Sequence, residues 1–352
     1  MPRPAVIAAA ALALTLGAPS AWAKPEYAAK EGKPCAFCHV NPNGGGERNA
    51  RGKYYAAHNY SLVGLDEALI TGQDEPKKSG PPAYVSLWKV TDLPAGIRRA
   101  SIGYVVDEKL PRVITWGEGN KIEVHNLSGE KPVVEASAEV GPGGARMAVV
   151  RRPKSKMASI VVPGAVYVVE GGKLVKKAAP DIAGIHGVAR FADGAENVFF
   201  FDGAQVLTWA VDPSAEKMLS EGREMVTPDQ ASGVYADVWS RLPEELMGML
   251  GWPEEVVKSG ILGMIDVRGD SKVYAWAPLA RADGNYLIFV DAMQVTLGEM
   301  PKPTWQSPKL AGKVLDVASG VDPKGGKKRG LLLLLATGED GKGRALEFMA
   351  LD

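Results

Sequence analysis

The sequence has only two cysteines, Cys35 and Cys38, and they stand close together. With no third cysteine, a four-thiolate zinc site is excluded, and so is any framework of several disulfides. Histidine is scarce: the chain has four, at positions 39, 58, 125 and 186. Methionine is missing from the whole stretch 24–82. Net charge is absent, because 41 acidic residues balance 41 basic ones. Bulk charge therefore gives no basis for nucleic-acid binding. Beyond residue 23 no apolar run is long enough to cross a bilayer, and the longest aliphatic block, Leu331–Leu335, is strand-sized. The chain carries no Gly-x-Ser-x-Gly, His-Glu-x-x-His or phosphate-loop pattern. Those absences remove the commonest hydrolase, metalloprotease and nucleotide-binding signatures.

What is present begins with a leader. Arg3 makes a positive start, Ala5–Gly17 is weakly apolar, and Ala21-Trp22-Ala23 is a small-x-small cleavage site. Residues 1–23 are therefore expected to be a secretory signal peptide, too short in its apolar part for a spanning helix. The mature chain is expected in a periplasm or outside the cell, with no transmembrane segment left after cleavage.

The two cysteines belong to Cys35-Ala36-Phe37-Cys38-His39, the attachment pattern of c-type haem. Two thiols at this spacing lie on one side of a helical turn, each able to add to one porphyrin vinyl group. The next residue, His39, then offers its imidazole to the iron. The same pair alone would also suit a redox disulfide or half a zinc site. A thioredoxin-like role calls for a strand-helix setting, and here the surroundings are rich in Gly and Pro. The expected cofactor is thus one haem c, covalent through Cys35 and Cys38, with iron held by His39.

Asn41-Pro42-Asn43-Gly44-Gly45-Gly46 follows, where three glycines without a Cβ permit close approach to a flat ring. The carbonyl of Pro42 is a candidate acceptor for the second imidazole N–H of His39. A helix is expected from Glu47 to about Asn59, with Arg51, Tyr54, Tyr55 and His58 on one face. That face makes Tyr55 a porphyrin contact, Arg51 a partner for a haem propionate, and His58 the candidate sixth ligand. A methionine from further along the chain, or an open position, are the other two possibilities for that ligand. Residues 35–55 resemble the single-haem module at the N-terminus of some secreted bacterial proteins, without the downstream Met of class I cytochromes.

Thr71–Pro82 has no apolar side chain apart from proline rings and reads as a linker between a haem module at 24–70 and a second domain at 83–352. From Ala83 onward short Val-, Ile- and aromatic-rich segments alternate with turns, a mainly β pattern broken by one helical stretch from Pro243 to about Val257. Units beginning near Ser101, Ala145 and Gly187 recur at about 40 to 45 residues, a blade-like spacing. The pattern resembles FG-GAP/VCBS-type blades, which implies a β-propeller-like domain of about six blades; a pair of β-sandwiches is the alternative. The calcium loop of such blades is reduced here to Asp193-Gly194 and Asp283-Gly284, too few carboxylates for calcium. The basic run from Lys324 to Arg329 reads as a hairpin tip or as a patch for an acidic partner.

These features are expected to make an exported electron carrier. One electron would pass through the haem to or from a redox protein held by the β domain. The alternatives are a haem-dependent oxidoreductase with its substrate site in the propeller, or a haem-based sensor or binding module. No catalytic residue stands out among the side chains.

Overall fold

The computed structural model describes residues 29–41, 43, 46–57, 60–65, 84–140, 147–152, 155–177, 187–191, 196–202, 205–211, 219–221, 235–240, 263–268, 272–291 and 303–351. The expected signal peptide at 1–23, the expected linker at 71–82, Pro42, His58, His186, the stretch 243–257 and Asp193-Gly194 lie outside these residues. The chain divides into two units, Met1–Leu62 and Val63–Asp352.

In the first unit a short 3₁₀ turn, Cys35–Phe37, is followed by one helix, α1 (Ala50–Ala57). The helix begins three residues later than the sequence pattern predicted. Glu47 and Arg48 are drawn off into an extended pairing: Val40 N–H donates to the Glu47 carbonyl (3.0 Å), and His39 bridges Arg48. Asn49 then caps the helix, its Oδ1 accepting from the Gly52 N–H at 3.0 Å.

The second unit is built of strands. It opens with β1 (Tyr84–Leu93). A four-stranded antiparallel meander follows, made of β2 (Arg99–Gly103), β3 (Arg112–Trp116), β4 (Lys121–Asn126) and β5 (Val133–Glu139). The next meander is β6 (Ala148–Arg151), β7 (Ala158–Val162), β8 (Ala165–Glu170) and β9 (Lys173–Lys177). Then come β10 (Gly187–Phe191), β11 (Glu196–Asp202), β12 (Gln205–Val211) and β13 (Leu219–Glu221). They are followed by β14 (Tyr235–Ser240), β15 (Gly263–Arg268), β16 (Lys272–Arg281), β17 (Gly284–Asp291) and β18 (Pro303–Gln306). The last three strands are β19 (Lys313–Val321), β20 (Arg329–Thr337) and β21 (Gly343–Leu351), and β1 adds to them in the order β1-β21-β20-β19.

The sheets are arranged as a closed ring. β19 and β20 pack on β2, β2 on β6, β6 on β10 and β11, and β16 and β17 return to β19. A ring of radial sheets buries both faces of each sheet, and the sequence shows it. In Leu331–Leu335, residues 331, 333 and 335 face a core with Leu287 and Phe289. Residues 332 and 334 face another with Ile102 and Val113. In β7, Ile160 and Val162 pack with Ile122 and Val124, while Val161 packs with Val198 and Val211. An uninterrupted aliphatic run is the mark of a strand covered on both sides. A pair of sandwiches would leave one face of each sheet in water, so the propeller-like reading holds and the mainly β expectation with it. Three of the sheets are separate four-stranded units, while β10 also pairs along its free edge with β14, which joins the strands β10–β18 into one nine-stranded sheet. Among the described residues there are three four-stranded sheets and this one, where the sequence spacing predicted about six blades.

Candidate functional site

Three hydrogen bonds shape the motif. Phe37 N–H donates to the Pro34 carbonyl (2.9 Å), and the N–H groups of Cys38 (3.1 Å) and His39 (3.0 Å) both donate to the carbonyl of Cys35. Cys35, Cys38 and His39 therefore share one tight turn, as the spacing required. Both thiols are free and half-buried. Burial, and next the carboxylate of Glu31, push the Cys38 thiol above its usual range, with Arg51 and Arg48 opposing. A redox-active cysteine is activated in the other direction.

The turn is too short to hold itself, because its last carbonyls have no partner within it. Asn49 supplies the partners. Its Nδ2 donates to the carbonyls of Ala36 (3.4 Å) and Phe37 (3.0 Å), and its backbone N–H donates to that of Cys38 (3.1 Å). Asn49 is itself buried. Gly52 lets the helix lie against the turn: a Cβ there would stand 2.0 Å from the Cys38 carbonyl oxygen. The sequence reading missed both residues. An Asn just ahead of a helix does signal a cap, but nothing local shows that its amide also reaches back to the cysteine turn.

Around the motif, Phe37 is flanked by two cations, Arg51 (5.1 Å) and Lys33 (5.2 Å) from its ring centre. Arg51 is thus placed beside the motif, on an aromatic face. Tyr54 and Tyr55 are both buried, and Tyr55 meets Tyr60 edge-on at 5.8 Å. His39 Nδ1 is buried with no hydrogen-bond partner among the described residues. His58, the expected sixth ligand, cannot be placed against these groups because it lies outside the described residues.

A haem c fits this donor set. It needs two free thiols and an imidazole on one turn, reaching different parts of a wide ring. Zinc needs its ligands to converge on one point, and the described His, Cys, Asp and Glu side chains form no group of three placed to hold an ion.

In the second unit several described polar side chains have structural partners. His125 is buried against Thr115, Nε2 to Oγ1 2.8 Å, with a Glu123 oxygen at 3.6 Å. Burial pushes its imidazole below the usual range, with Glu123 opposing and Lys121 adding. Arg112 binds Asp107 and Glu135. Asp283 accepts a hydrogen bond from the Tyr286 hydroxyl at 3.0 Å. A shallow groove of about 590 Å³ is lined by Lys89, Thr91, Leu93, Thr337 and Glu347, and the Lys89–Glu347 ion pair (3.2 Å) crosses it.

No protein-family model matches the chain, and no curated protein matches it. Solved structures do align with it. One is BBS1N in complex with ARL6DN, at 9% identity and a TM-score of 0.36, covering 76% of this chain and 97% of that one. Another is Saccharomyces cerevisiae Sqt1, at 11% identity and a TM-score of 0.35, covering 77% and 99%. Likenesses this low carry no argument, so the fold rests on the sheets described above. Among the described residues no helix is long and apolar enough to cross a membrane.

Proposed function

We propose that this chain is an exported c-type cytochrome that carries one electron and uses its β ring to hold a redox partner protein. The observation that carries the reading is the single turn on which two free thiols and the His39 imidazole are presented together. Cys35 and Cys38 would hold haem c covalently, His39 would ligate its iron, and His58 would be the second axial ligand. Bound there, a haem supplies reversible one-electron exchange at its iron. The protein's part is to present and orient. Asn49 fixes the carbonyls of the turn, Gly52 brings α1 against it, and the buried Nδ1 of His39 is kept away from solvent. Arg51 and Lys33 place positive charge beside Phe37, next to the cysteines. Positive charge near a haem stabilises its reduced, less positive state and its propionates.

The test is expression with export and a bacterial haem-attachment system, followed by denaturation and solvent extraction. Wild type is expected to retain haem absorbance, and the Cys35→Ser, Cys38→Ser double variant to lose it. A wild-type chain that stays colourless while a control c-type cytochrome matures in the same cells overturns the proposal. In the loaded protein, His58→Ala is expected to convert a low-spin spectrum to a high-spin one; an unchanged spectrum removes His58 from the ligand set.

A further inference from the structure

The loops that follow β2, β6 and β19 gather at one end of the ring. The ends of those three strands line a common cavity, with Gly103, Arg151, Gly320 and Val321 around it. The loops touch one another. Ser155 Oγ donates to Glu108 (3.3 Å), the Ala158 N–H donates to the Tyr104 carbonyl (2.7 Å), and Gly325 lies against Leu110. The cavity itself holds about 30 Å³, room for about one water and no substrate. Among the described residues, the side chains that can meet a partner at this end lie around the rim of that cavity and not in it.

That rim is basic. Lys109, Lys324, Lys327 and Lys328 are exposed, and no ion pair joins any of them to a carboxylate among the described residues. The carboxylates nearby are engaged. Asp107 accepts from Arg112 and from the Lys109 and Leu110 N–H groups. Asp322 is buried and accepts from Trp88 Nε1 (2.9 Å) and the Lys324 N–H (2.9 Å). The Asp322 bonds also stiffen the tip. Asp322 N–H donates to the Lys328 carbonyl (3.0 Å), Gly325 N–H donates back to Asp322 (3.2 Å), and the Lys324 ammonium rests over the Trp88 ring at 5.1 Å. A Cβ at Gly326 would strike the Asp322 carboxylate at 2.2 Å, so the tight tip needs glycine. In a chain whose charges balance overall, this is a rigid cluster in which exposed lysines outnumber the exposed carboxylates beside them.

We infer that this end of the ring, centred on Lys324, Lys327 and Lys328, is the docking surface for an acidic patch on a partner protein. The inference rests on the reading of the β ring as a docking scaffold and does not depend on the haem. Charge complementarity names the partner's chemistry, since such patches steer association and fix orientation. Among the described residues, the large exposed apolar side chains of the strands, Val85, Leu87, Val133 and Val134, lie on β1 and β5, the outermost strands of their sheets. A membrane surface would want apolar groups among the lysines, so a polypeptide is the occupant the surface fits.

The test uses the full-length exported chain and labelled poly-L-glutamate, with binding followed by fluorescence anisotropy at several salt concentrations. Two variants carry the same change in total charge. One has Lys324→Glu, Lys327→Glu and Lys328→Glu; the other has Lys176→Glu, Lys309→Glu and Lys313→Glu, three exposed lysines away from the tip. The first is expected to lose about tenfold in affinity and to flatten the salt dependence, and the second to change by less than about twofold. Lys→Gln at the three tip positions is expected to give a smaller loss, and circular dichroism checks that each variant is folded. Equal losses in both variants, no binding by wild type, or capture by phosphatidylglycerol vesicles in place of the polypeptide overturns the inference. Haem absorbance of the same preparations reports separately on the cytochrome reading.

Discussion

The side-chain amide of Asn49 donates to the carbonyl of Phe37 across 3.0 Å, joining the cap of α1 to the turn that carries both cysteines. One buried residue thus starts the helix and holds the motif. Replacing it by Asp keeps the oxygen that accepts from Gly52 but sets a carboxylate oxygen against the carbonyls of Ala36 and Phe37. Asn49→Asp is expected to lower covalent haem per chain several-fold while α1 is retained, because leaving buried groups unpaired costs about 1–3 kcal/mol each. Haem per chain, measured after denaturation, and far-ultraviolet circular dichroism check this. Unchanged haem loading would show that the turn forms without its clamp.

Gly52 makes a second, independent prediction. Adding one methyl there meets the Cys38 carbonyl oxygen at 2.0 Å. Gly52→Ala raises intrinsic helix propensity by about 1 kcal/mol, yet it is expected to impair haem attachment, because helix and turn must separate. The sign of this result is the check: better attachment would mean that the close approach has no role.

The pH dependence of the β ring should show two windows. His125 is buried, and its imidazole is held below its usual value, first by burial and against the pull of Glu123. The unfolded chain then binds the proton more readily, so this contribution is fully present above the unfolded value of about 6.5 and is lost as pH falls below it. Asp107 and Glu135 are held low by their hydrogen bonds and by Arg112, against an opposing burial effect. What they contribute is lost only as pH falls further, below the usual carboxylate range. Melting temperature measured from pH 8 to about pH 2 should therefore begin to fall near neutrality in wild type and fall again below about pH 4. In His125→Gln that first step should disappear.

Core substitutions test the ring itself. Leu332 and Leu333 are both fully buried, yet they belong to different cores on opposite faces of β20. Leu332→Ala and Leu333→Ala are each expected to destabilise the second unit by about 2–5 kcal/mol, read from denaturant unfolding. A sheet covered on one face would show the penalty at only one of the two.

The strands buried on both faces were the legible part of the sequence. Arg112–Trp116 and Lys121–Asn126 are two of the Val- and Ile-bearing segments that the pattern marked as β. The run Leu331–Leu335 reads as a strand and proves to be one, covered on both sides. Two outermost strands were not seen. β5 (Val133–Glu139) and β9 (Lys173–Lys177) are largely exposed or half-exposed, so water relaxes the demand for apolar residues and the pattern fades. The β10–β14 edge pairing was equally hidden, because it joins segments far apart in sequence with no local signature. In the first unit the cysteine spacing stated its own geometry. The role of Asn49 was not legible, since it depends on a contact thirteen residues away, with Ala36.

The register that pairs Tyr84 with Leu351 and Leu93 with Arg344 closes the ring. It also sets the order of events in biosynthesis. Synthesis runs from the N-terminus, so β1 emerges long before β21 exists, and the edge that β21 covers stays open until then. The cysteine turn emerges earlier still. A nascent chain stopped before Gly343 would carry two raw sheet edges, on β1 and on β20, each a template for pairing with another molecule. Shortening at that end should therefore appear as abrupt loss of soluble protein, and not as a graded fall in stability.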